Sequence, residues 1–475
     1  MITKSTGFKL LVSLSMGLFS ASAVASESQP TFSEDIAPIV FNHCTECHRP
    51  DQVAPFTLMN YKDVKKRGRT VARVVEKRFM PPWKADPGFG DFHDERRLSD
   101  KEIALIRSWV DAGMPEGDPS KTPSLPDFPK DWILGKPDRL FAPSETYTLG
   151  PEGRDEYRCF VIPTGFTEDV YVKAVEVKPG NRTVVHHVIA YVDPRQEGRK
   201  RDAATPEPGY ISFGGPGVRG ADWLDAWVPG MVPRKLPEGV GKLIPAGSDL
   251  ILQVHYHRSG KPEDDLTQFG IYLAEEKITH RARVRSVADN KLDIPPGDGN
   301  YKAGATMTLP SDITIFEVMP HMHLLGKSMD VRATLPDGSK APMIRISDWD
   351  FNWQIPYVYK TPLKLPKGTV IQMNAAFDNS AENPSNPNTP PQRVRRGEQT
   401  TDEMCMAFFT YVVDQERIEN AKRNDKIINA VRGLSLLGDA AELIKNRFDE
   451  DGDGTLSPEE RRKARAALKA FRGGQ

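Results

Sequence analysis

Six of the chain's ten histidines fall in three tight pairs, and each pair sits in a stretch that reads as a β-strand. His186 and His187 lie in "VVHHVIAYV", His255 and His257 in "LQVHYHRSG", and His321 and His323 in "MPHMHLLGK". β-Branched and aromatic residues crowd these segments, which favours strand over helix. Side chains alternate across a strand, so both rings of H-x-H share a face and can meet one ion, while the rings of H-H diverge. A single pair is ordinary in a strand. Three pairs in one chain point to imidazole-rich metal sites, which suit Zn, Cu, Fe or Ni. The middle of the chain must therefore be β structure with side chains aimed at metal. "DVYVKAVEVKP", "DLILQVHYH", "DITIFEVMPHMH" and "GTVIQMNAAF" fit that reading, and 40 prolines and 37 glycines supply turns such as Pro336–Gly338.

The chain has 475 residues, a length that suits about three domains. Its 64 basic residues balance 65 acidic ones, which argues against a nucleic-acid partner. Residues 1–25 read as a secretory signal, with Lys4 and Lys9, an apolar run, and the small-residue cleavage site Ala23–Ala25. No later segment is apolar enough to span a membrane, so the mature chain is expected in the periplasm or secreted, without an anchor. Four cysteines are too few for a disulfide framework.

Two of those cysteines stand in "CTECH", Cys44 to His48. C-x-x-C-H is the attachment signature of a c-type haem: Cys44 and Cys47 form the thioethers and His48 reaches the iron. A redox disulfide or half a zinc site would leave His48 unexplained. Residues 30–120 read as a helical cytochrome c domain. Ser33 is a candidate N-cap, and Ser99 with Glu102 opens a helix that Gly113 stops. Met80 in "RFMPPWKADP" is the leading candidate for the distal haem ligand, with Met114 and Met59 as alternatives.

The histidine strands, taken in order with "TTDEMCMAFF", resemble the copper type II ascorbate-dependent monooxygenases, the family of peptidylglycine and dopamine hydroxylating enzymes. The likeness covers roughly residues 132 to 415. It implies two antiparallel jelly-roll-like β-sandwich domains, residues 132–287 and 288–415, with two copper sites. One would use His186, His187 and His255. The other would use His321, His323 and Met404, bind O2 and hydroxylate a substrate C–H bond. Both His186 and His187 can serve one copper if the strand bulges there. His257 stays open as an alternate ligand or a supporting group. A thioether at Met404 favours Cu(I), whereas zinc would be indifferent to it.

The family pattern breaks where the peptide-amidating member holds a substrate carboxylate. Those positions are Met319, Met406 and Phe408 here, so a neutral or apolar small substrate is expected. Cys159 and Cys405 fall in different domains and are expected to be free thiols. Residues 420–475 read as a helical tail with an EF-hand loop, "DEDGDGTLSPEE". Asp449, Asp451, Asp453, Thr455 and Glu460 would bind calcium, with Ser457 at the water position and Gly454 at the turn. The whole reading is an exported copper monooxygenase fed with electrons through an attached haem by an unknown donor. A haem/copper electron-transfer or copper-handling protein is the alternative. A zinc hydrolase is a weaker one, since neither a general base nor a third strong ligand accompanies His321 and His323.

Overall fold

A computed structural model describes residues 29–50, 52–129 and 131–418, together with Met1 and Arg462. The segment read as a secretory signal, and the loop read as an EF-hand with Asp449, Asp451, Asp453, Thr455 and Glu460 as calcium ligands, lie outside the described residues. No helix among the described residues is long and apolar enough to cross a membrane.

The described chain is mostly antiparallel β structure behind a short helical unit. That unit is built on α1 (Ala37–His43), α2 (Tyr61–Glu76) and α3 (Asp100–Asp111) around Phe32, Ile36, Val64, Ile106 and Trp109. Ser99 caps α3 in a reciprocal capping box with Glu102, and Gly113 follows with φ +87°. Ser33 is not the first cap: Thr31 fills that role, and Ser33 is buried and accepts from the Thr122 hydroxyl.

Two β units follow. In the first, the main strands are β1 (Glu156–Pro163), β2 (Val170–Lys178), β3 (Val185–Asp193), β4 (Asp222–Trp227), β5 (Val240–Ile244), β6 (Asp249–Tyr256) and β7 (Gln268–Leu273). One sheet runs β1-β6-β3-β4 and the other β7-β2-β5, each extended by short edge strands. Val188, Leu252 and Val254 from one sheet share a single core with Val172, Val175, Phe269 and Ile271 from the other. Two sheets over one apolar layer make a β-sandwich.

The second unit has β8 (Arg283–Ala288), β9 (Tyr301–Thr308), β10 (Ile313–Met322), β11 (Gly326–Thr334), β12 (Lys340–Ile346), β13 (Tyr357–Leu365), β14 (Val370–Phe377) and β15 (Cys405–Val413). Its sheets are β8-β15-β10-β13 and β9-β14-β11-β12, again around one core. β9 shows the sequence rule plainly: "YKAGATMT" alternates between more and less exposed positions residue by residue.

The segment after α2 departs from the sequence expectation. Residues 30–120 read as one helical domain, but part of this segment packs outside it. Trp83, Ala85 and Phe92 pack into the core of the second β unit. Phe92 pairs with Tyr359 as an isolated bridge, the His93 N–H donates to the Val358 carbonyl at 2.8 Å, and the Asp86 N–H to the Arg345 carbonyl at 2.8 Å. Arg96 reaches the first β unit at the Gly230 carbonyl, 2.7 Å away. This strap ties all three units together.

Candidate metal centres

The outer face of one sheet from each β unit looks into a shared pocket of about 360 Å³. His187, Ile189 and Tyr191 alternate along β3 on the pocket side, while Val188, Ala190 and Val192 fill the sandwich core. On β10, Met319 and His321 face the pocket while Val318 and Met322 face the core.

The H-H strand bulges at its histidines. Val185 pairs with Tyr256 and His187 with His255, so His186 is the extra residue. The bulge breaks the period of two and lets both rings turn to the same side. His186 and His187 Nδ1 lie 3.3 Å apart, and His255 Nδ1 lies 3.4 Å from His187 Nδ1. The ligand atoms of His186, His187 and His255 all fall within 4.8 Å of one another. Burial, reinforced by His255, pushes His186 down to about 3 and His187 well below the ordinary histidine range. Neutral imidazoles whose nitrogens converge on one point form a cation site.

Asp155 orients this trio. Its Oδ2 accepts from His255 Nε2 at 3.0 Å and from the Thr400 hydroxyl at 2.8 Å, and its Oδ1 meets His257 Nδ1 at 3.1 Å. Burial opposes its charge, but the bonds from His255, Thr400 and His257 outweigh that and hold the carboxyl well below the usual range. A carboxylate only accepts, so His255 Nε2 must carry the proton and Nδ1 keeps its lone pair. His257 therefore stands beside the carboxylate, outside the converging trio, with its side chain 69% exposed. Tyr157 stacks on His255 with ring centroids 4.1 Å apart.

His321, His323 and Met404 also line the pocket. Gln354 Nε2 donates to the Phe351 carbonyl at 2.8 Å, which turns its Oε1 to His321 Nδ1 at 2.5 Å. His323 Nδ1 donates to the Asp402 carbonyl at 3.0 Å. Both rings thus keep the Nε2 lone pair, with ring centroids 5.2 Å apart. Burial takes His321 down to about 3 and His323 to about 4. Glu403 fixes the backbone between the two ligand segments. Its carboxylate accepts from the His323, Leu325 and Met404 N–H groups at 2.8, 2.7 and 3.1 Å. Phe351 stands between the sites, stacked on His186 at 5.3 Å and edge-on to His323 at 6.0 Å.

Met319, Met406 and Phe408 do line the pocket, beside Trp223 and Val228. Arg396 and Glu398 line it too, so it is not wholly apolar. Cys159 and Cys405 are buried free thiols in separate β units.

In the helical unit, the His48 N–H bonds to the Cys44 carbonyl at 2.9 Å, so the motif occupies one turn. His48 Nδ1 lies 3.0 Å from the Phe56 carbonyl, which leaves Nε2 to ligate, and both cysteines are free. These residues fit a covalently held haem. Met80 follows α2, its N–H bonded to the Val74 carbonyl at 3.2 Å. Met114 is packed in the helical core, where a side chain added at Gly68 would meet its sulfur.

Sequence reasoning missed Asp155, Thr400, Gln354 and Phe351. Asp155 meets His255, Gln354 meets His321 and Phe351 stacks on His186 from more than 30 residues away, and Thr400 reaches Asp155 from the other β unit, with no local motif. Glu403 was visible in "DEMC" but had no assigned role.

Residues 290–427 match the family model of the copper type II ascorbate-dependent monooxygenase C-terminal domain. The matched family is copper-dependent, and the match spans less than a third of the chain. No curated protein matches the chain. Among solved structures, the major capsid protein P2 of bacteriophage PM2 is 7% identical, covering 58% of this chain and 97% of its own, with a TM-score of 0.25. The glycosylasparaginase PNGase F from Flavobacterium meningosepticum is 9% identical, covering 57% and 97%, with a TM-score of 0.24. Scores of this size carry no argument about function.

Proposed function

We propose that the chain is an exported copper-dependent monooxygenase that hydroxylates a C–H bond of a small, largely apolar substrate with O2. The observation that carries this reading is the pairing of two imidazole-rich sites across one pocket, the second inside the segment matched to a copper oxygenase domain. His186, His187 and His255 would hold one copper, and His321, His323 and Met404 the other. Copper supplies one-electron redox and oxygen chemistry when bound. The chain's own residues do the rest. Asp155, Gln354 and the Asp402 carbonyl fix which nitrogen each ring offers. Trp223, Val228, Met319, Met406 and Phe408 exclude water and favour an apolar substrate over a free carboxylate. Cys44, Cys47 and His48 would hold a c-type haem, with Met80 the proposed distal ligand, and haem supplies one-electron transfer from an outside donor. The EF-hand residues would take calcium.

Metal content tests this directly. The full chain, made in a host that installs c-type haem and then loaded with copper, should carry two coppers per haem and consume oxygen with ascorbate. Zinc in place of copper, or a single copper after loading, would sink the two-site reading.

A further inference from the structure

Hydroxylation needs protons as well as electrons: RH + O2 + 2e⁻ + 2H⁺ gives ROH and H2O. The electrons come from an outside one-electron reductant such as an enediol. We propose that Glu317 relays the protons, carrying them from the cleft between the β units to the pocket. The inference rests on the monooxygenase reading above.

Strand geometry sets the position. Glu317 follows a bulge in β10, where the register shifts against both neighbouring strands. From there Glu317, Met319 and His321 alternate on one face, so Glu317 lies about 13 Å along the strand from His321. Two small cavities share Glu317 as a lining residue. One, of about 60 Å³, is also lined by exposed Asp94 and Arg234 and so begins at the surface. The other, of about 30 Å³, is walled by Trp223, Met319 and Phe408, the same side chains that line the main pocket. A buried water needs about 10–15 Å³, so each cavity has room for one. Glu317 and Asp225 line both.

The groups around the carboxylate suit a relay. On β15, the Thr410 hydroxyl donates to Glu317. On β5, Lys242 pairs with Asp225 of β4 at 2.7 Å, so the nearby cation is already engaged. His93, Arg96 and Lys173 line the outer cavity. Burial raises the Glu317 carboxyl above the ordinary range, with Asp225 adding to the shift and Lys242 and Thr410 opposing it. A carboxyl that holds a proton nearer neutral pH can donate and be refilled.

The test uses the full chain loaded with haem and copper, ascorbate as reductant, and oxygen consumption in H2O and D2O. Glu317→Gln should bind two coppers as the wild type does, yet consume oxygen at least about tenfold more slowly with a larger solvent isotope effect. Glu317→Asp should recover part of the rate. A redox-difference infrared spectrum should show a carboxyl C=O band that shifts in D2O and is lost in Glu317→Gln. Should Glu317→Gln fail to fold, Thr410→Val, which removes only the hydroxyl on the carboxylate, should show a smaller slowing of the same kind. Unchanged rate and isotope effect in these variants overturn the relay alone, as does an isotope effect that moves only with Glu398→Gln. A wild type that holds two coppers but consumes no oxygen overturns the monooxygenase reading, and the relay with it.

Discussion

The two histidine sites share a pocket but present opposite atoms. In the first, a carboxylate holds the far nitrogen of His255, and His187 Nδ1 lies 3.3 Å from His186 Nδ1 and 3.4 Å from His255 Nδ1. In the second, Gln354 and a backbone carbonyl hold Nδ1, so His321 and His323 offer Nε2, and Met404 lines the same pocket. The difference is physical. Under the proposed reading, a copper taken by Nδ1 atoms would be held by the strand bulge that turns His186 and His187 to one side. A copper at the second site would be held through Nε2 of His321 and His323, and the Met404 thioether would favour its reduced state. Site chemistry is thus written in the partners of the rings as much as in the rings.

Breaking one site while sparing the other is the strongest test of that contrast. His255→Ala should reduce copper from two per chain to one, with haem content unchanged, as measured by elemental analysis. Met404→Leu should instead keep both coppers in the oxidised state and weaken only Cu(I) binding at the second site, read by competition with a Cu(I) chelator. Asp155→Asn is milder. It should cost roughly 10–100-fold in copper affinity at the three-histidine site alone, the usual effect of losing a carboxylate behind a ligating imidazole. Equal weakening of both sites would show that the two are not independently oriented.

Thr400→Val probes the smallest effect. Thr400 belongs to the second β unit and Asp155 to the first, so this hydrogen bond couples the units at the metal. Its loss should lower unfolding stability by about 1 kcal/mol and leave copper stoichiometry intact, as followed by denaturant titration.

Much of this was legible in the sequence because it is local. β-Branched and aromatic residues marked "VVHHVIAYV" as a strand, while the family resemblance, not the spacing, implied that His186 and His187 serve one ion, as a bulge permits. Ser99 and Glu102 announced α3 through a box four residues long. The partners of the rings were not legible because they arrive from a distance. Nothing near Asp155 says that it will meet His255, and nothing near Phe351 says that it will stack on His186. The strap was misjudged for the same reason. Residues 30–120 read as one helical domain, but Trp83 and Phe92 pack against Tyr357 and Tyr359 of the second β unit.

That strap has a consequence for biosynthesis. Trp83 and Phe92 leave the ribosome long before Tyr357 and Tyr359 exist to cover them. At roughly 5–20 residues per second, the gap lasts tens of seconds. The front of the chain therefore cannot be finished on its own. It must carry two unprotected aromatics until β13 is made, and a nascent chain halted before that strand should be the species that chaperones hold and proteases cut.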